Sequence, residues 1–149
     1  MTDPTPAAYA LRAVRPDEMA LVRDSWARSY GDPPTRPRPV QRPPRGLAKW
    51  LWYRAIRRGV ITPVMDEDGA SVIVAVLPDV PDEVLGWLCY APPGAHPLQL
   101  HYAYVKPDYR RRGVARQLMG AALACADERG PVVSHHTRDG DALVGAVVG

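Results

Sequence analysis

The sequence predicts a single α/β (α+β) domain, a mixed and mostly antiparallel sheet flanked by helices, with a shortened C-terminus. Three observations predict it. Two amphipathic helical segments follow a first strand. Three apolar strands with short connections come next, which implies an antiparallel meander. A long helix then leads to one more short strand, which must run parallel to its predecessor if the helix is a crossover. At 149 residues the chain holds one ordinary domain, residues 1–149, and not two.

Each element has its own signal. Tyr9–Val14 alternates as a first strand. Pro16 opens a helix, with Asp17 and Glu18 in the first turn, where acids complement the helix dipole. Met19, Val22, Trp26 and Tyr30 then form an apolar stripe at steps of three and four, and Gly31 ends it. Residues 32–46 hold six prolines and four arginines, an extended loop inside the domain, because proline fixes φ and donates no hydrogen bond. Leu47–Arg58 returns to a helical pattern, with Leu47, Leu51 and Ala55 on one side and Trp50, Arg54 and Arg57 on a basic, aromatic one.

From residue 60 the pattern changes to strands. Ser71–Leu77 and Val84–Tyr90 are apolar runs joined by a turn at Asp79-Val80-Pro81-Asp82. After Pro92-Pro93-Gly94 a third strand covers Leu98–Val105. Val114–Arg129 is the clearest helix, with Val114, Leu118, Ala121, Ala122 and Cys125 on one face and Gly130 beyond its end. Pro131–His135 reads as the last, parallel strand.

Composition excludes several classes. Hydrophobic residues make up 46% and charged residues 23%, a globular balance. No run approaches the roughly 18 apolar residues of a membrane span. The N-terminus lacks the basic start and apolar stretch of a secretory signal. Cys89 and Cys125 sit in apolar segments without metal-type spacing, so they read as buried thiols of a reducing, cytoplasmic protein with no metal. The formal charge of +3 is uneven, because residues 31–58 carry eight Lys/Arg against Asp32 alone. That excess favours an anionic partner near the segment.

The chemistry concentrates at Tyr104–Ala115. A buried strand ends, a loop marked by Pro107 follows, and a helix starts at the Gly113-Val114-Ala115 step. Amide hydrogens at a helix N-terminus have no helical partner, and with the dipole they form a site for a diphosphate. Gly113 admits phosphate oxygens without a Cβ in the way, and Ala115 is small for the same reason. Arg110, Arg111 and Arg112 add charge that suits phosphate. The bland alternative is a solvated basic turn on an ordinary crossover helix. The strand before, the amphipathic helix after and the Gly86-Trp87 step in the middle strand favour the phosphate reading.

Val105-x-Pro107-x-x-Arg110-Arg111-x-Gly113-x-Ala115 resembles the acetyl-CoA signature, Q/R-x-x-G-x-G/A, of the GCN5-related N-acetyltransferases (GNAT). The order of elements over about residues 9–136 is similar too. The likeness implies acetyl-CoA as acyl donor, with Tyr104 and Val105 offering backbone groups to pantetheine and Arg110–Ala115 holding the pyrophosphate. It implies that the donor lies between the signature strand and the next parallel strand, where the thioester meets an acceptor amine. His101-Tyr102-Ala103-Tyr104-Val105-Lys106 and the short length also resemble GNAT-like proteins of bacteriophages.

The family commonly uses a carboxylate or ordered water on the signature strand as base, and a late tyrosine as acid. This strand has no acid, and no tyrosine follows His136. Gln99 and His101 are its polar residues and share one face. His101 is either a general base or a structural histidine bonded within the sheet. His135 and His136 close the parallel strand, where a departing thiolate would collect its proton. Tyr102 and Tyr104 belong to the core or the cofactor wall, and Tyr109 can reach either way. Trp50, Trp52 and Tyr53 either wall the acceptor groove or serve packing alone.

The leading expectation is an enzyme that acetylates a primary amine with acetyl-CoA, the acceptor being a small amine, a protein amino group or a modified nucleobase, with the basic stretch leaning towards an anionic one. The alternative is a non-catalytic module of the same fold that binds nucleic acid or a protein through Arg36, Arg38, Arg42 and Arg45. The few residues after His136 leave a sheet edge uncovered, which predicts a homodimer or a complex.

Overall fold

Strands β1 (Ala10–Ala13), β2 (Ser71–Leu77), β3 (Val80–Ala91), β4 (Gln99–Val105) and β5 (Val132–Val133) lie side by side in chain order. They are seen in a computed structural model that describes residues 9–29, 46–66 and 70–133. The first four strands pair antiparallel, and β5 joins β4 in parallel after the crossover helix α4 (Val114–Leu123). This is the mixed sheet that the order of elements predicts. The Pro/Arg-rich stretch other than Gly46, together with His135, His136 and the tail, lies outside the described residues.

Two cores sandwich the sheet. On one face Val22 and Trp26 of α1 (Met19–Ser29) pack against Val74, Trp87 and Tyr102. On the other, Val114, Leu118, Met119 and Ala122 of α4 cover Leu88, Leu100 and Val105. Burying a large apolar side chain contributes about 1.5–3 kcal/mol, so these faces supply most of the drive to fold. Among the described residues no helix is long and apolar enough to cross a membrane, and no three potential ligands gather for a metal.

The corner into α1 is held by charge. Pro16–Glu18 form a 3-10 turn. Arg12 donates from both terminal nitrogens to the two Glu18 oxygens at 2.7 Å, and Glu18 accepts the Arg15 backbone N–H at 2.9 Å.

Several expectations need correction. Helix α2 (Lys49–Ile56) does not end at Arg58 but continues through a π turn, Arg57–Ile61, into α3 (Thr62–Met65). The Thr62 N–H reaches back to the Arg57 carbonyl, so the widened turn closes just before Pro63, which has no N–H to place. The inward side is accordingly Trp52, Tyr53, Ile56 and Ile61. Leu47 and Leu51 face solvent at 38% and 39% exposure, and Ala55 is exposed with them.

The β2–β3 turn is Pro78-Asp79, and residues 80–83 already belong to β3. Val76 pairs with Val84 and Leu77 with Val80, so residues 81–83 bulge out of register. Pro81, which cannot donate to a ladder, is tolerated there.

Helix α4 ends at Leu123, not at residue 129. Arg129 is used elsewhere: it donates to the Gly94 carbonyl at 2.9 Å and to Asp127 at 2.6 Å, tying the chain after α4 to the β3–β4 loop. Met119 joins the buried face, while Ala121 and Cys125 are exposed. Cys89 is buried as expected, and Cys125 is not.

Candidate active site

The turn between β4 and α4 is built for exposed amides. The Lys106 N–H donates to the Leu85 carbonyl at 2.8 Å and pins the end of β4 to β3. Pro107–Tyr109 make a 3-10 turn. Arg111 then adopts φ 62° and Gly113 φ 86°, both left-handed. Arg111 is the only non-glycine residue with positive φ among the described residues, a conformation that other side chains seldom adopt. The first bond of α4 runs from the Gln117 N–H to the Gly113 carbonyl at 3.0 Å. Among the described residues the N–H groups of Gly113 to Arg116 have no backbone acceptor, as the start of a helix requires. A Cβ built on Gly113 would meet nothing within 4 Å, so the space beside the Gly113 Cα is open.

The signature side chains divide their work. Arg110 turns back on the strand: its Nε donates to the Val105 carbonyl at 2.9 Å and its guanidinium lies 5.7 Å from the Tyr104 ring centre. Arg112 lies 5.7 Å over the ring of Tyr109. Arg111 is exposed. Val114 is buried and Ala115 half-buried, so both are also part of the seam between α4 and the sheet.

Gly86 sets the spacing at this seam. A Cβ there would stand 2.8 Å from the Tyr104 carbonyl oxygen and 3.2 Å from a Val114 methyl. No side chain larger than hydrogen fits while β3, β4 and the start of α4 meet so closely.

Among the described residues, strand β4 is only partly paired on its β5 side. Lys106 bonds towards β3, so the two-residue alternation turns the peptide groups of Tyr104 to β3 and those of Ala103 and Val105 to the β5 side. Among the described residues β5 pairs with β4 only at Gln99 and Leu100. Beside the β4–α4 turn, residues 101–105 of β4 therefore have no strand partner on the β5 side among the described residues. His101 sits at the irregularity between the pairs Cys89–Tyr102 and Tyr90–Leu100, and it is 2% exposed.

A cavity of about 420 Å³ opens on the α1 face, between α1 and the β3–β4 pair. Leu21, Trp87 and Tyr104 give it apolar walls. Asp24, Arg28 and Lys106 give it charge. Asp24 is paired with Arg57 of the π turn. Ser25 accepts the indole N–H of Trp87 at 2.8 Å and fixes that ring in the wall. Behind it Trp26 stacks on Tyr102, with ring centres 5.2 Å apart.

Of the residues given a site role from sequence, Tyr104 alone lines this cavity, beside the Gly86-Trp87 step and Lys106, named from sequence without such a role. Val105 and Arg110–Ala115 stand together at the end of β4 and the start of α4. His101 is inside the sheet, and Tyr109 packs on the α4 side. Gln99 pairs with Val132 at the far end of β4. Trp50 is 63% exposed, and Tyr53 packs on the α1-side core. His135, Arg36, Arg38, Arg42 and Arg45 are outside the described residues. Sequence reasoning gave no site role to Asp24, Ser25, Arg28 and Lys106. The first three are the polar side of α1, beside the Val22–Trp26 stripe, and only the tertiary fold turns that side to a cavity.

The profile of the Acetyltransferase (GNAT) family matches residues 23–142. No curated protein matches the chain in sequence. Among solved structures, a GCN5-related N-acetyltransferase of Rhodopseudomonas palustris is 18% identical, with TM-score 0.63 over 97% of this chain and 84% of that one. A ribosomal-protein-alanine N-acetyltransferase of Brucella melitensis is 16% identical, with TM-score 0.57 over 94% and 90%. The aminoglycoside N-acetyltransferase AAC(6')-Iy, solved in complex with CoA, is 15% identical, with TM-score 0.55 over 98% and 90%. At these identities the likeness is one of fold.

Proposed function

Because the chain belongs to the Acetyltransferase (GNAT) family, we propose that it moves the acetyl group of acetyl-CoA to a primary amine. The observation that carries this reading is the row of backbone N–H groups at Gly113–Arg116, without a backbone acceptor among the described residues, beside an open Cβ position at Gly113. Such a row, with the helix dipole behind it, suits the diphosphate of CoA. Arg111 and Arg112 add charge at its rim. On this reading the Val105 N–H, on the β5 side of β4, meets the pantetheine, while the Val105 carbonyl is held by Arg110 Nε.

The acceptor enters from the α1 side and meets the thioester beside Tyr104. The neutral amine attacks the carbonyl carbon, a C–N bond forms, the C–S bond breaks, and the proton shed by nitrogen balances the departing thiolate. Holding both reactants together accounts for much of the rate gain. Among the described residues no buried carboxylate stands at the β4 flank, so on this reading amine deprotonation passes through water at the cavity mouth. His101 is enclosed in the sheet beside the irregularity of β4.

Calorimetric titration with CoA tests the reading. Wild-type protein should bind, and Gly113→Val should bind at least about tenfold more weakly, a difference of about 1.4 kcal/mol. Thiol release from acetyl-CoA in the presence of primary amines should follow the same order. Absence of CoA binding to a folded wild-type protein would overturn it.

A further inference from the structure

The charges around the α1-side cavity do not cancel. Among the described residues Arg12, Arg15, Arg23, Arg57 and Arg129 each have a carboxylate partner. Arg28 and Lys106 both line the cavity and have none. The one acid in the lining, Asp24, is already engaged by Arg57. The cavity therefore presents two uncompensated cations against apolar walls, and a partly enclosed site with walls of low dielectric strengthens their attraction for an anion.

These cations are not an extension of the diphosphate turn. Arg28 belongs to α1, on the face of the sheet opposite α4. Lys106 is fixed at the end of β4 by its backbone bond to Leu85 of β3. They come from two elements that converge on the cavity. We propose that the acceptor is an amine that also carries an acidic group on an apolar body, as an α-amino acid does. Arg28 and Lys106 hold the acid, Leu21 covers the body, and the amine is left towards Tyr104. A volume of about 420 Å³ is within the range of small-molecule pockets, roughly 300–1,000 Å³. The proposal rests on the acetyltransferase reading and narrows its substrate class.

Two probes that differ only in charge test it: L-phenylalanine and L-phenylalaninamide, each compared as acceptor and as ligand of the CoA-loaded protein. The wild type should favour the acid over the amide by at least tenfold in kcat/KM or in Kd. That ratio should fall at least fivefold in Arg28→Ala and in Lys106→Ala. It should hold in Arg54→Ala, which removes an exposed cation of α2 away from the cavity. CoA affinity, measured separately on each variant, should stay within twofold of wild type. A ratio near one or favouring the amide overturns the proposal, as does binding of neither probe, and in both cases CoA binding would leave the family activity standing. A Lys106→Ala protein that loses CoA affinity would move Lys106 to the donor site and overturn its role here. Failure of CoA to bind the wild type would instead remove the acetyltransferase reading.

Discussion

Arg12 and Glu18 carry opposite charges into a corner where little water reaches, with side-chain exposures of 22% and 10%. The two hydrogen bonds from Arg12 hold the Glu18 carboxyl below its ordinary range, burial opposes them, and the Arg15 N–H adds to the lowering. A depressed carboxylate pKa stabilises the fold at pH values above the unfolded-state pKa of about 4.3, and that stability is lost as pH falls through the folded value. Glu18→Gln should therefore cost about 2 kcal/mol at neutral pH, and the gap to wild type should begin to narrow as pH falls below about 4.3. Urea unfolding at pH 7 and pH 3.5 reads both. Gly86→Ala belongs to the same scale. Its Cβ would press on the Tyr104 carbonyl at 2.8 Å, and a backbone atom cannot rotate away, so the strands must part. A loss of about 2 kcal/mol is expected, together with weaker CoA binding, because the end of β4 moves with it.

Among elements, the β4–α4 turn is where conformation and chemistry meet. The left-handed φ of 86° at Gly113 costs roughly 1–2 kcal/mol for any residue with a Cβ, whatever space surrounds it. Gly113→Ala should lower stability by about that amount. Arg111→Gly should do the reverse or nothing: relief of the left-handed strain at φ 62° is offset by the freer unfolded chain, leaving a net change within about 0.5 kcal/mol. Thermal melts of the two variants should separate them by several degrees. This turn was legible in the sequence because its requirement is local, a glycine at a strand-to-helix step flanked by arginines. The strands were legible for a similar reason, since Ser71–Leu77 reads as a strand from its own composition. The α2–α3 segment was not. A π turn shifts the face that Ile56 and Ile61 present, and a 3.6-residue period places Leu47 and Leu51 inside when they are outside. The end of α4 was missed because Arg129 finds its acceptors thirty-four and thirty-five residues back in the chain. The cavity was missed because it needs α1 and β3–β4 together, and no local pattern records that meeting.

Across the whole molecule, a single sheet serves two cores. Residues of β2, β3 and β4 alternate between them: Trp87 and Tyr102 face α1, while Leu88 and Leu100 face α4. A strand cannot leave one core and keep the other, so the two faces should unfold in one step. Val22→Ala on the α1 face removes part of a side chain with 0% exposure and should cost about 2 kcal/mol. Leu118→Ala on the α4 face is equally buried and should cost about 3 kcal/mol. The two side chains touch different clusters on opposite sides of the sheet, so the double variant should lose the sum to within about 0.5 kcal/mol. The more telling measurement is near-ultraviolet circular dichroism. Its signal comes largely from the Trp26–Trp87–Tyr102 cluster, whose Trp26 and Trp87 rings stand 5.4 Å apart on the α1 side alone. If the sheet couples the faces, Leu118→Ala shifts the midpoint of that aromatic signal as far as it shifts the far-ultraviolet one, although Leu118 touches none of those rings. Separated midpoints would mean that the α4 face can open while the α1 side stays folded, and the β4–α4 turn and the α1-side cavity would then sit on units of different stability.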